Sequence, residues 1–245
     1  LLPLRGSSRV DLNQDNLIYS INPTNGEINW KYPTSSSALK SSFENNFSYD
    51  SDYDSIFFLN TSGELYSINY TIPKINWIIS LNEQSADENN NLFTGQPITL
   101  SNENILVSTK NDLINFNKIS GSKQWQIPIS LKTKPIVYDK YVFLVSNDDL
   151  LICLEASTGK IIWSKYIFHF IKKSKISFNK VKGFYILNNQ IYLVTTNGYL
   201  LIFDYNSGTL LSADPIVKSK ILVAPIIVDG FMYILDSKNR VTKLN

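Results

Sequence analysis

The chain has 245 residues, of which 23 are basic and 21 acidic, giving a formal net charge of +2, and 43% are hydrophobic. This balance argues against a dedicated nucleic-acid binder, which would show a basic stripe, and no apolar run approaches the roughly 18 residues of a membrane span. Residues 1–20 lack the basic and apolar segments of a secretory signal. The first residue is not Met, so we expect the natural N-terminus, with any signal or lipid anchor, to lie upstream.

A turn followed by a strand that ends on tryptophan recurs along the chain. The copies read, in chain order, NPTNGEINW to Trp30, YTIPKINW to Trp77, KISGSKQW to Trp125, ASTGKIIW to Trp163 and YNSGTLLS to Ser212. Pro73 takes the place of the glycine in the second copy. An upstream marker lies 28 residues before Trp125, Trp163 and Ser212, at Pro97-Ile98, Pro135-Ile136 and Phe184-Tyr185, and Pro225-Ile226 opens one more copy.

The segment between marker and tryptophan has the pattern of short strands. In IYLVTTNGYLLIFDYNSGTLL, residues 191–211, Asn197-Gly198 separates two apolar runs, and Asn-Gly between such runs is the strongest short hairpin signal because both residues tolerate positive φ. With a strand around the marker, each copy supplies four antiparallel strands. No segment longer than about two turns has helical periodicity.

A four-stranded unit repeated every 38 to 50 residues predicts an all-β fold, a β-propeller of four-stranded antiparallel blades. Stacked blades bury faces that a lone sheet would expose. The predicted third strands are Leu17–Asn22, Glu64–Asn69, Leu113–Asn117, Leu150–Glu155, Tyr199–Asp204 and Arg240–Leu244. The blades then span about 1–33, 40–81, 94–130, 133–168, 176–216 and 221–245 of a single propeller. The sixth copy lacks an outer strand, so we expect a larger propeller without its first blades.

The four tryptophans are predicted to be structural. A large flat side chain on the outer strand covers apolar area between adjacent sheets, which assigns Trp30, Trp77, Trp125 and Trp163 to blade packing rather than to an exposed aromatic binding surface.

Catalytic, metal and cofactor motifs are not found in the sequence. Cys153 is the single cysteine, which excludes an internal disulfide, and its apolar neighbours predict a buried core residue rather than a reactive thiol. His169 is the single histidine and cannot form a zinc site of clustered Cys and His ligands. There is no nucleophile elbow and no phosphate-binding glycine loop. We therefore predict no enzyme activity and no cofactor.

Two charged segments leave alternatives open. Asp50, Asp52 and Asp54 lie in SYDSDYDS, where a calcium loop would need the Gly and Glu of an EF-hand, so a solvated loop is favoured. The lysines of KKSKISFNKVK, residues 172–182, are interpreted as an exposed strand face, with contact to acidic lipid or a partner as the alternative.

The repeat resembles the pyrroloquinoline-quinone-type propeller repeat, and within it the chain is most similar to the BamB family, propeller lipoproteins of the outer-membrane β-barrel assembly machinery. The C-terminal segment from NNQIYLVTTNGYL to VTKLN follows that family's last blades, and LPLRG resembles its Leu-x-Leu-Arg-Gly loop. The resemblance implies that Leu2, Leu4, Arg5 and Gly6 contact the periplasmic domains of BamA, the membrane-inserted barrel protein. Of the family's acidic pair only Glu44 is kept, near Asn46.

The resemblance implies a non-enzymatic scaffold at the periplasmic face of the bacterial outer membrane, formed by roughly the last two-thirds of an eight-bladed propeller. It would dock on a BamA-type barrel and aid insertion of β-barrel proteins, with nascent outer-membrane proteins as further candidate partners. Membrane association would need a lipid anchor that this chain lacks.

Two other propeller families remain open as alternatives. A quinoprotein dehydrogenase needs calcium ligands and typically a disulfide between adjacent cysteines, which a single cysteine cannot supply. A luminal sensor of unfolded protein is compatible with the sequons at Asn46, Asn60 and Asn69, although Asn60 lies in a predicted strand, which disfavours a glycan there.

The first copy has two conflicting registers. Repeat spacing places its inner strand at Leu2, 28 residues before Trp30, whereas the resemblance places Leu-Arg-Gly in a loop before the blade. Only one strand fits between Gly6 and the turn at residues 14–16. Because Pro3 and Gly6 suit a central strand poorly, we favour the loop, with residues missing between Ser7 and Leu12.

Overall fold

The computed structural model describes residues 2–3, 9–12, 17–34, 47–60, 62–81, 96–169 and 180–244. Throughout these ranges the regular structure is β, as the repeat predicts, in 23 strands. Across these ranges no helix has the length and apolar character that crossing a membrane requires.

The strands form six sheets in chain order. The first contains β1 (Leu2–Pro3), β2 (Arg9–Leu12), β3 (Leu17–Ile21) and β4 (Ile28–Pro33). The second contains β5 (Phe47–Asp50), β6 (Ser55–Leu59), β7 (Glu64–Asn69) and β8 (Lys74–Ser80). The third contains β9 (Gln96–Leu100), β10 (Asn104–Ser108), β11 (Leu113–Asn117) and β12 (Lys123–Ile127). The fourth contains β13 (Ile136–Tyr138), β14 (Tyr141–Val145), β15 (Leu150–Glu155) and β16 (Ile161–Tyr166). The fifth contains β17 (Val181–Leu187), β18 (Gln190–Thr195), β19 (Tyr199–Asp204) and β20 (Leu210–Pro215). The sixth contains β21 (Ile226–Val228), β22 (Phe231–Leu235) and β23 (Val241–Leu244).

Each sheet is an antiparallel meander whose strands pair in sequence order. The predicted third strands agree with the observed ones to within one residue, and the sixth sheet has three strands within the described residues, as its missing outer-strand motif predicts. The repeat is therefore a repeat of four-stranded units.

Two compact units divide the chain, Leu1–Lys134 and Pro135–Asn245. In the first, Phe57 and Leu65 of the second sheet pack with Ile105 and Phe116 of the third in one buried cluster. In the second, the fourth and fifth sheets share a cluster in the same way, which includes Phe143 and Phe203 and the predicted core residue Cys153. Neighbouring sheets within each unit thus bury each other's faces, which a lone sheet could not do.

The turn between the third and fourth strands explains why glycine precedes the outer strand. In the fifth sheet, Gly208 N donates to Asp204 O at 2.9 Å, and Asp204 Oδ1 accepts hydrogen bonds from Ser207 N at 2.8 Å and Ser207 Oγ at 2.7 Å. Closing this turn requires Gly208 to adopt φ of 65°, a conformation that glycine adopts without steric cost. An Asn, Asp or Glu four residues before a glycine is therefore the sequence signature of the turn.

Asp236 fixes the hairpin turn between β22 and β23, the second and third strands of the sixth sheet. Its buried carboxylate accepts hydrogen bonds from Ser219 Oγ at 2.5 Å and Arg240 Nε at 2.9 Å. It also caps the turn by accepting a hydrogen bond from Lys238 N at 2.8 Å. The hydrogen bond from Ser219 and the contact with Arg240 hold the pKa of Asp236 well below the usual range of an aspartate.

We expect Asp236 to make the fold sensitive to acid. Because its folded pKa is depressed, the stabilisation it gives is complete above its unfolded pKa of about 4 and is lost as pH falls towards the folded value. Asp236→Asn should therefore flatten the loss of stability between pH 5 and pH 2.5, measured as urea midpoints. Asp214→Asn, which removes another carboxylate of the same unit, serves as the control and should leave that slope almost unchanged.

Candidate functional site

The residues predicted to bind a partner fall mostly outside the described part of the chain. Leu4, Arg5, Gly6 and Glu44 lie in undescribed stretches, and for Leu2 the backbone alone is described. Their partner-binding role stays a prediction.

The backbone around Leu2 nevertheless distinguishes the two registers of the first copy. Leu2 pairs with Val10 and Pro3 with Arg9, so β1 is the first strand of a complete four-stranded sheet. This agrees with repeat spacing. The favoured loop is therefore wrong for Leu2 and Pro3, which lie in β1, and the sheet has its four strands without additional residues between Ser7 and Leu12.

Trp77 and Trp163 pack against the glycine turn of the following sheet. A Cβ on Gly121 would lie 2.9 Å from Trp77 Cδ2, and a Cβ on Gly208 would lie 2.6 Å from Trp163 Cε3. Trp125 is buried. The second copy carries Pro73 in place of glycine, and there Trp30 meets the ring of Tyr70 edge-on at 6.3 Å.

A buried ion pair links the second and third sheets. Lys118, directly after β11, is 4% exposed and its amino group contacts Asp50 Oδ2; Asp50 is 8% exposed. Asp50 Oδ1 also accepts Asp52 N at 3.0 Å, and the backbone of Lys118 accepts Trp77 Nε1 at 3.0 Å. The ammonium further lies 4.9 Å from the ring centre of Tyr53. Both charges are therefore compensated inside the protein.

The interpretation of the acidic segment as a solvated loop is wrong for Asp50. The sequence could not show it, because its partner lies 68 residues away. Asp54 is also engaged, since its carboxylate accepts Thr71 N at 3.1 Å and Tyr49 OH at 3.4 Å. Across the described ranges, no group of three or more His, Cys, Asp or Glu side chains is placed to hold a metal ion.

The same position in the second unit carries an aromatic pair. Asp50 and Tyr138 each end the first strand of a sheet, where they pair with Ser55 and Tyr141, the first residues of the second strands. Lys118 and Tyr205 each come directly after the third strand of the next sheet. Tyr138 and Tyr205 lie 6.0 Å apart with nearly perpendicular rings. The fold thus accepts a purely aromatic contact where the first unit has an ion pair.

A cavity of about 340 Å³ opens beside the ion pair. The second and third sheets supply its lining, which consists of Tyr53, Ser55, Asn69, Lys74, Ile75, Asn76, Lys118 and Ile119. Asn76 Nδ2 donates to Ser67 Oγ at 3.1 Å and to Ser55 Oγ at 3.3 Å, which fixes the amide of this lining residue. The lining contains two lysines and no carboxylate.

Other residues singled out from the sequence have structural environments. Burial raises the pKa of the Cys153 thiol to about 12, so it is neutral in the core, as predicted. His169 is exposed and its Nδ1 lies 2.9 Å from Tyr166 O. Asn60 comes one residue after β6 rather than within a strand, but it is fully buried. Its Nδ2 donates to Glu64 Oε2 at 2.8 Å, an arrangement that leaves no room for a glycan.

Comparison with known proteins identifies the family. The model of the family described as outer membrane protein assembly factor BamB matches residues 5–165, well over half of the chain. The chain belongs to the BamB family. Curated relatives agree: the outer membrane protein assembly factor BamB of Yersinia pestis is 20% identical over 233 residues, covering 91% of this chain and 54% of that protein. BamB of Francisella tularensis is 21% identical over 153 residues, covering 57% of this chain and 31% of that protein. The chain thus spans about half the length of the Yersinia protein, and its match covers less than a third of the Francisella protein.

Solved structures confirm the predicted fold class. The crystal structure of BamB from Moraxella catarrhalis superposes with a TM-score of 0.69 at 14% identity, covering 98% of this chain and 67% of that one. The computationally designed Ika8 protein gives a TM-score of 0.66 at 12% identity, over 98% of this chain and 69% of that chain. With the succession of four-stranded sheets, this establishes a β-propeller fold with the repeat of the BamB family.

Proposed function

We propose that the chain is a non-enzymatic scaffold of outer-membrane protein assembly, working at the periplasmic face of the bacterial outer membrane. The observation that carries this proposal is the match of residues 5–165 to the BamB family, supported by relatives that bear the name outer membrane protein assembly factor. The finer proposal is that it docks on the periplasmic domains of a BamA-type barrel protein and so aids insertion of β-barrel proteins, including nascent chains.

The docking surface we propose is the segment that leads out of β1. Leu2 and Leu4 would supply apolar anchors, and Arg5 a charge-assisted bidentate contact, the kinds of side chain that dominate binding energy at interfaces. Gly6 would allow close approach of the two backbones, and Glu44 would add a carboxylate. The short β1–β2 pairing places Leu2 and Pro3, which precede this segment, in a sheet.

The scaffold role is supported by how rigidly the turns of the sheets are held. The turns after the third strands are closed by backbone bonds such as Gly121 N to Asn117 O at 2.9 Å and Gly159 N to Glu155 O at 2.9 Å. A surface whose loops are fixed in advance loses little conformational entropy when it binds.

Replacing both Leu4 and Arg5 by alanine should weaken binding to the periplasmic domains of a BamA-type protein by about 2 kcal/mol or more, if they are hot spots. Titration calorimetry with the full-length protein measures this. The matched control is Lys160→Ala with Ile161→Ala, an exposed basic and apolar pair at the start of β16, which should bind as the parent does.

Equal affinity of the Leu4 and Arg5 double variant would reject the docking segment but leave the scaffold role in place. Copurification of a quinone chromophore with calcium, at one of each per chain, would instead contradict the scaffold role and favour the dehydrogenase alternative.

A further inference from the structure

We propose that the cavity beside Lys118 binds a carboxylate side chain of an extended partner segment. The cavity measures about 340 Å³, enough for one glutamate or aspartate side chain with a flanking residue. This contact would be separate from the docking segment near the N-terminus and does not depend on it.

The charge of the lining selects an anion. Lys74 and Lys118 both line the cavity, and no acidic side chain does. The nearby carboxylates of Asp50 and Asp54 are turned to other partners, the former to Lys118 and turn amides, the latter to Thr71 N and Tyr49 OH. Asp52, the third acid of this segment, is exposed and does not line the cavity. The charged residues of the lining are therefore both basic, while two of the three nearby acids are already ion-paired or hydrogen-bonded.

The two lysines have different parts in the site. Lys118 is buried and its ammonium is ion-paired with Asp50, so it is a fixed part of the cavity lining whose charge is already compensated. Lys74 lies at the start of β8 and is exposed, and within the described residues its amino group makes no ion pair or hydrogen bond. It is thus available to close on an incoming carboxylate, and a charge-assisted bond of this kind is stronger than a neutral one.

The rim of the cavity suits a peptide better than a free anion. Ile119 is 63% exposed and Tyr53 41% exposed, and both line the cavity. An inorganic anion would leave these apolar surfaces in water, whereas the aliphatic neighbours of a glutamate in an extended segment would cover them. The expected ligand is a glutamate or aspartate between apolar residues.

The second unit shows that the charges are not required by the fold. There the tyrosine pair Tyr138 and Tyr205 occupies the positions of Asp50 and Lys118. A buried ion pair generally gives no more stability than a well-packed apolar pair. A role in binding therefore accounts for an ion pair at this one place.

The test is a fluorescence-anisotropy titration of the full chain with two labelled peptides, Ser-Ile-Glu-Ile-Ser and Ser-Ile-Gln-Ile-Ser, blocked at both ends. The glutamate peptide should bind saturably and at least about tenfold more tightly than the glutamine peptide. Lys74→Gln should weaken binding of the glutamate peptide by about tenfold, because it removes the ammonium that pairs with the carboxylate. This exposed residue can be changed without disturbing the core. Lys31→Gln, at an exposed lysine of β4, is the matched control and should change nothing.

Inorganic phosphate serves as the free-anion probe. It should compete only at concentrations well above those of the glutamate peptide, because it cannot contact Ile119 and Tyr53. Phosphate binding as tight as the peptide would overturn the assignment to a peptide side chain. Equal affinity for the two peptides, or an unchanged titration for Lys74→Gln, would overturn the site itself. Loss of the Leu4 and Arg5 docking contact would leave these titrations unaffected, so the two proposals fail separately.

Discussion

Replacing Lys118 by methionine should lower the free energy of unfolding by about 3–5 kcal/mol, the usual cost of removing one partner of a buried ion pair. Lys118 and Asp50 are both almost completely buried, so water cannot replace the lost partner. The carboxylate of Asp50 would remain in the interior with backbone donors alone, including Asp52 N at 3.0 Å. Urea denaturation followed by circular dichroism measures the change.

The reverse single change tests the other charge. Asp50→Asn preserves an oxygen for the turn amides but leaves the ammonium of Lys118 unpaired beside the ring of Tyr53. We expect a loss of similar size, about 3–5 kcal/mol.

The double variant Asp50→Asn with Lys118→Met distinguishes an ion pair from independent packing. It removes both charges and retains the turn acceptor, so it should recover at least about half of the summed single losses, because buried charge pairs couple strongly. The matched control is Lys123→Met, at a lysine on the exposed side of β12, which should shift stability by no more than about 0.5 kcal/mol. Additive losses in the double variant would show that the two charges do not stabilise each other.

The sheets could be predicted from the sequence because their signals are local. Asn197-Gly198 and the Asp204 to Gly208 turn each encode a hairpin within five residues, and the structure has both. Repetition of such signals then fixed the number of strands in each copy. The tryptophans followed from their constant distance to those turns.

The ion pair and its cavity could not be predicted, because neither has a local signal. Asp50 and Lys118 lie 68 residues apart, and the equivalent positions of the fourth and fifth sheets carry Tyr138 and Tyr205 instead. Asp50 therefore appeared to be one of several acids in a polar loop. Its burial depends on the packing of the third sheet against the second, which the pattern of one copy does not contain.

The partner-binding segment was predicted from a resemblance to a family rather than from a pattern within the chain. Leu2, Leu4, Arg5 and Gly6 were assigned by their match to a family loop, and physical chemistry adds only that such side chains suit an interface. Strand pairing places Leu2 in β1, a result that repeat spacing predicted and the family loop did not.

Gly208→Ala should be more damaging than the same substitution at Gly26, the equivalent turn glycine of the first sheet. A left-handed alanine costs about 1–2 kcal/mol, and its Cβ would lie 2.6 Å from Trp163 Cε3 and 2.7 Å from Cζ3. Overpacking of this kind adds about 1–3 kcal/mol. The total expected loss, about 2–5 kcal/mol, is measured as the shift in urea midpoint multiplied by the m-value.

Gly26 provides the matched control for the backbone contribution. It occupies the same turn of the first sheet with φ of 78°, and a Cβ there would meet nothing within 4 Å. Gly26→Ala should therefore cost only the conformational part, about 1–2 kcal/mol. The difference between the two variants measures the contact between glycine and tryptophan that the repeat preserves.

A third variant tests whether that contact is steric. Trp163→Leu alone lowers stability because it buries less apolar area. Combined with Gly208→Ala, it also removes the indole ring that would clash with the new methyl group. The double variant should then lose less than the sum of the single losses by about 1 kcal/mol or more, as expected for residues in contact. If Gly208→Ala and Gly26→Ala cost the same, the glycine serves the turn alone. The spacing between turn and tryptophan would then have to be explained by the strand register rather than by packing between sheets.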